Sequence, residues 1–255
     1  MRRTTMGGRK VPSRSGDTTG SSGASPREGG GGELMEWIKS LGVTIVLLVV
    51  IRTFLLQTFV ITSGSMEDSL LVGDFLVVNR LAMGSRIPGT SIRTPGYSSA
   101  RLNDVVVFDP THEDEIKLVK RIVGMPGDTL RMEDKQFFRN GERVDEPWVK
   151  WGDFAGDHEH PWMVWQRDFL ADGVDVATYA PTRDTWGPLV IPEGYYFMLG
   201  DNRDFSLDSR YWGLIETRRL EGRALFFYFS YDRDSPAPLS FIREVRWERI
   251  GQRIR

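Results

Sequence analysis

The chain has 255 residues, no cysteine, three histidines and a formal net charge of −2. That is room for one ordinary domain with extras, and it excludes thiol catalysis, cysteine-built zinc sites and disulfides. The near-even charge balance points away from nucleic acid, while 40% hydrophobic and 27% charged residues read as globular.

Residues 1–33 are rich in Gly, Ser, Thr and Arg and hold few large apolar side chains. Such a stretch buries too little surface to offset its ordering entropy, so residues 1–36 are expected to be a disordered tail. Trp37 to Leu56 is the membrane candidate: Leu41 to Ile51 carries no charge, and Lys39 and Arg52 flank it. Twenty helical residues rise about 30 Å, the thickness of a hydrocarbon core. The cations Arg2, Arg3, Arg9, Lys10, Arg14 and Arg27 favour a cytoplasmic N-terminus. A buried core helix or a cleavable leader are the competing readings, but no A-x-A-like site follows Ile51.

From residue 57 the pattern turns to short strands. Asp74 to Arg80, Val105 to Phe108, Ile116 to Val123, Gly194 to Leu199 and Arg223 to Tyr231 are rich in β-branched and aromatic residues. Gln136 to Arg139 leads into Asn140-Gly141, the signature of a two-residue hairpin. Residues 84–100 read as a long loop. Residues 145–188 carry five tryptophans among many acids and glycines, and are expected to be an insertion or small subdomain. The expectation is a mainly β domain over 57–255 behind one transmembrane helix.

Three stretches could carry chemistry. Ser63-Gly64-Ser65-Met66 offers two hydroxyls around a glycine that allows a tight turn. A serine attacks a carbonyl only when its proton has an acceptor and donors await the oxyanion. Lys120 sits in Leu118-Val119-Lys120-Arg121-Ile122-Val123, where alternation sends Lys120 and Arg121 to opposite faces. With an ordinary pKa near 10.4, only about one lysine in 2,500 is neutral at pH 7. A fall of about 3 in that value costs roughly 4 kcal/mol and requires burial away from a carboxylate partner. The bland alternative is an edge-strand lysine that blunts aggregation. The third stretch, Gly200 to Gly213, is dense in turn-forming side chains, and Asp208 and Arg210 can pair within it. His158 and His160 lie in an acidic run that reads as a solvated loop, so no metal and no cofactor are expected.

Taken together these stretches resemble the bacterial type I signal peptidases. The resemblance is carried by Ile51-Arg52-Thr53-Phe54 before Ser63-Gly64-Ser65-Met66, then Arg101 to Phe108, Lys120 to Asp128, and Gly200 to Gly213. It implies a β-rich, LexA-like catalytic domain and a Ser–Lys dyad, with Ser65 as nucleophile and Lys120 as general base. It implies Ser63 and the Ser65 N–H as the oxyanion hole, Ser206 as the group orienting the lysine, and Asp208–Arg210 as a supporting ion pair. Phe59, Ile61, Met66, Leu70, Leu118 and Val119 fall where the family lines its pockets for small residues at −1 and −3. The implied partners are exported preproteins and membrane lipid, at the bacterial cytoplasmic membrane with the catalytic domain outside. Three positions depart from the pattern: Asp68 stands for proline, Phe205 for asparagine and Asn103 for glycine. Loss of the proline is expected to loosen the turn after Ser65.

Two other classes use the same features. A self-cleaving regulator would share the dyad but needs a DNA-binding helix-turn-helix, which the first 36 residues lack. A membrane-anchored binding module would keep the strands and need no dyad.

Overall fold

The computed structural model describes residues 30–51, 56–84, 95–110, 116–152 and 156–255. The expected tail up to residue 29, Arg52 to Leu55, most of the 84–100 loop and His112 lie outside these residues.

Helix α1 (Gly30–Val50) starts earlier than the expected span and takes in the charged Glu36 and Lys39. The uncharged stretch from Ser40 to Val50 is eleven residues long and rises about 16 Å. Among the described residues, no helix is long and apolar enough to cross a membrane. Leu56, placed at the end of the span by sequence, instead opens strand β1. The apolar side chains from Leu41 through Ile51, at the end of α1 and just beyond it, are exposed.

The remaining domain is mainly β. A seven-stranded sheet runs in the order β1 (Leu56–Val60), β2 (Asp74–Asn79), β11 (Leu220–Ser230), β3 (Val105–Phe108), β4 (Leu118–Gly124), β9 (Tyr195–Leu199), β10 (Ile215–Glu216). A four-stranded sheet has the order β7 (Glu142–Arg143), β6 (Gln136–Arg139), β5 (Thr129–Glu133), β8 (Trp186–Val190). All strand pairs within them are antiparallel. The Asn140-Gly141 turn joins β6 to β7 as expected, with φ of 55° and 85°.

The strand runs read as continuously apolar because the central strands are covered on both faces. Val105 and Val107 enter a cluster with Ile61, Met66, Leu70, Leu76 and Phe227. Val106 and Phe108 enter another with Ile122, Met198 and Ile215. Along β9, Phe197 and Leu199 point into a third cluster with Leu130, Met132, Trp186 and Leu189, which ties the small sheet to the large one. Gly124 allows that junction, since a Cβ there would lie 2.3 Å from Leu130 Cδ1.

Residues 145–188 are woven into this framework. Their last residues open β8, Met163 is buried in the third cluster, and Lys150 bridges in parallel to Asn202. Of the five tryptophans, Trp186 is buried in the core and Trp162 is exposed.

Candidate active site

Strand β4 delivers the lysine. In the β3–β4 register Lys120 faces Val106 and Arg121 faces Val105, so the two cations leave on opposite faces. Arg121 is fully buried against Asp201, donating from Nε at 2.8 Å and Nη2 at 2.6 Å, and its guanidinium covers the Trp148 ring. Lys120 is 3% exposed. Its Nζ donates to Ser65 Oγ at 2.6 Å and to Val119 O at 3.2 Å.

Burial pushes the Lys120 ammonium down to about 8. Asp208 and Asp201 pull it up, and Arg210 pushes it down further. At pH 7 that leaves about one lysine in ten neutral, against one in thousands in water. An ordinary surface cation is thereby converted into a usable proton acceptor.

Ser65 lies in a 3-10 turn, Gly64–Met66, that follows β1 after the extended Ser63. Ser63 Oγ is 3.5 Å from Ser65 Oγ and exposed. The turn is held from the 200–213 loop: Asn202 N donates to Ser65 O, and Asn202 Nδ2 to Gly64 O and Glu67 Oε2, each at 3.1 Å. Lys150 Nζ also reaches Glu67 at 3.4 Å and Asp68 at 3.6 Å. Asp68, where proline is usual, has φ +79°, outside what a proline ring permits. Asn103 has φ +67°, consistent with the glycine it replaces.

Asp208 and Arg210 pair as expected, both wholly buried, through two bonds of 2.8 Å. Asp208 also accepts from Gly200 N, and Arg210 Nη2 donates to Arg203 O. Gly200 lies where nothing larger fits: a Cβ would stand 2.2 Å from Ser206 Oγ and 2.4 Å from Ser65 O. Ser206 is brought to the site, but its Oγ is buried without a hydrogen-bond partner among the described residues. It makes no bond to Lys120, whose amine donates to Ser65 and Val119.

A small cleft of about 80 Å³ opens beside Ser65 and Lys120, lined by Ile61, Ser63, Ser65, Met66, Leu118, Val119 and Lys120. Four of the six expected pocket residues line it. Leu70 is instead sealed in the core below, and Phe59 packs half-buried on that core. A cavity of about 790 Å³, lined by Asp68, Trp148, Phe227, Arg249 and residues 252–255, involves neither Ser65 nor Lys120. His158 is exposed, and the His160 ring accepts from Trp162 N and abuts Tyr211. No group of residues able to hold a metal occurs among the described residues.

Sequence reasoning had no role for Asn202 or Gly200 beyond their motif, nor for Lys150. Their bonds to the Ser65 turn cross 135 residues or more for Asn202, so only the fold brings them together.

A buried amine bonded to a serine on a tight turn, beside a small cleft, defines the class of β-rich serine hydrolases. The family described as signal peptidase, peptidase S26, matches residues 34–229. The signal peptidase I of Pseudomonas aeruginosa is 35% identical over 213 residues, covering 78% of this chain and 73% of that protein. That of Bacillus licheniformis is 32% identical over 200 residues, covering 78% and 90%. A crystal structure of a signal peptidase I from Enterococcus faecalis aligns at 26% identity and TM-score 0.33, over 49% of this chain and 97% of the other. The chain belongs to the signal peptidase I family and is a serine endopeptidase.

Proposed function

We propose that this protein removes signal peptides from exported preproteins with a Ser65–Lys120 dyad, working at the outer face of the bacterial cytoplasmic membrane. The observation that carries this reading is the 2.6 Å bond from the buried Lys120 Nζ to Ser65 Oγ. The neutral amine takes the serine proton as Oγ adds to the scissile carbonyl. Negative charge then develops on the carbonyl oxygen, within reach of the Ser65 N–H and the Ser63 hydroxyl. The lysine ammonium returns its proton to the leaving amine. A water, deprotonated by the same lysine, then releases the signal peptide from Ser65.

The cleft supports small side chains at −1 and −3. Its walls are Ile61, Met66, Leu118 and Val119, and its volume of about 80 Å³ excludes large residues. Strand β9 pairs with β4 from Arg121 onward, so the edge ahead of Arg121 is available to an extended substrate. Attachment to the membrane is supported by the exposed apolar run from Leu41 to Ile51. With the basic residues of the tail, that run argues for a single pass and a cytoplasmic N-terminus.

The test is cleavage of a preprotein with an A-x-A site in liposomes, comparing wild type, Ser65→Ala and Lys120→Ala. Cutting after the second small residue by wild type alone supports the reading. Appreciable cutting by either variant overturns the dyad. Release of the protein from membranes by alkaline carbonate would overturn the anchor.

A further inference from the structure

We infer that Asn202 is a positioning residue that aims the Ser65 N–H at the substrate oxyanion. The inference rests on Ser65 being the nucleophile. A peptide unit is planar and trans, so the Gly64 carbonyl and the Ser65 N–H point in opposite directions. Whatever fixes that carbonyl therefore also fixes the donor. Gly64 O accepts from Asn202 Nδ2 at 3.1 Å and from Glu67 N at 3.0 Å. Both its lone-pair positions are then used on one side of the turn. The Ser65 N–H faces away from Asn202 and makes no hydrogen bond among the described residues. The next peptide is held as well, because Asn202 N donates to Ser65 O. One residue thus grips two successive peptide planes of the nucleophile turn, and neither can rotate without breaking a bond.

Asn202 is itself immobilised. It is 2% exposed, and Lys150 flanks it through Lys150 N to Asp201 O at 2.8 Å and Arg203 N to Lys150 O at 3.0 Å. Its amide orientation is set by chemistry, since Nδ2 faces two acceptors, Gly64 O and Glu67 Oε2. An aspartate would fill the same space yet present an acceptor to those acceptors. Shape would be kept and the donor lost.

The test is Asn202→Asp, read by kinetics and by two inhibitors. One is a peptide aldehyde ending in alanine, to which Ser65 Oγ adds while its proton passes to Lys120, leaving an oxyanion. The other is the matching peptide alcohol, which fills the same cleft and forms no oxyanion. A misdirected oxyanion donor should lower kcat about 100-fold, with KM within about threefold. Aldehyde affinity should fall by a similar factor while alcohol affinity holds. A kcat within threefold of wild type would overturn the inference. So would an equal loss of affinity for aldehyde and alcohol, which would mark Asn202 as a general support of the cleft. If Asn202→Asp fails to fold, Asn202→Ala is read by the same pattern. Failure of the underlying reading would look different: wild type would not cut, or Ser65→Ala would.

Discussion

Lys120 Nζ donates to Ser65 Oγ at 2.6 Å across 55 residues of sequence, joining the interior of a central strand to a half-buried turn. The strand can carry a cation there because only the tip of the side chain meets a polar partner. Its stem is sealed from water, and burial holds the ammonium down at about 8.

The pH dependence of the single-turnover rate follows from that value. With Lys120 as the proposed base the reactive form is the neutral amine, so the rate should rise about tenfold per pH unit below 8 and level off above it. Lys120→Arg should be inactive across the whole range, because a guanidinium keeps its proton. A rate falling from pH 7 to 9, measured on a preprotein in detergent, would contradict the assignment of the base.

Stability should respond in a related way. In the folded protein the Lys120 value lies below its ordinary 10.5, so the unfolded chain binds more protons between about pH 8 and 10.5. The native state therefore carries its full penalty below pH 8 and sheds it as pH rises through that window. Lys120→Met should be more stable than wild type at pH 6 to 7, by up to about 3 kcal/mol. The gain should vanish by about pH 10.5, as followed by urea unfolding of the detergent-solubilised protein.

Gly200→Ala should damage catalysis out of proportion to its size. Its methyl group would meet Ser65 O and Ser206 Oγ at well under contact distance. The backbone of the Ser65 turn must then move, and small displacements of a reacting group cost about 100-fold in rate. We expect at least that loss in kcat, with unfolding lowered by about 1–3 kcal/mol from overpacking. Near-normal activity in the variant would mean the turn relaxes freely.

Asp68→Pro, which installs the family's usual residue, should harm the protein. The φ of +79° at this position is closed to proline. The loss should exceed about 1 kcal/mol, with activity reduced. Asp68→Gly should keep near-wild-type activity, since glycine adopts this conformation readily and loses only a half-exposed contact to Lys150. Thermal melts and preprotein cleavage of both variants check the pair. The turn is thus a different solution to the same loop, braced by ion pairs to Lys150 instead of by a ring.

Much of this was legible beforehand, for local reasons. The β-branched runs at 74–80 and 105–108 form strands because alternate residues feed separate core clusters. Asn140-Gly141 turns because both residues tolerate positive φ. Ser65, Lys120 and the Asp208–Arg210 pair stood out by residue type and motif. What escaped depends on contacts between distant segments. Leu70 and Phe59 were expected in the cleft from the family resemblance alone, and an apolar side chain gives no hint of which core it joins. The resemblance made Ser206 a partner for Lys120, but its hydroxyl is buried beside Gly200 and unbonded among the described residues. The early start of α1 was obscured because the glycines at 30–32 and the charges of Glu33 and Glu36 do not read as helix or span, yet they stand in the helix.

The β3–β4 register places Val106 across from Lys120 and Val105 across from Arg121. Those two neighbouring side chains are the proposed proton acceptor and a permanent charge. Sliding β4 by a single residue would bring a guanidinium to the serine and strand an amine beside Asp201. Strand alignment here is therefore a reading frame for chemistry: in frame, the amine meets the serine, and one step out it does not.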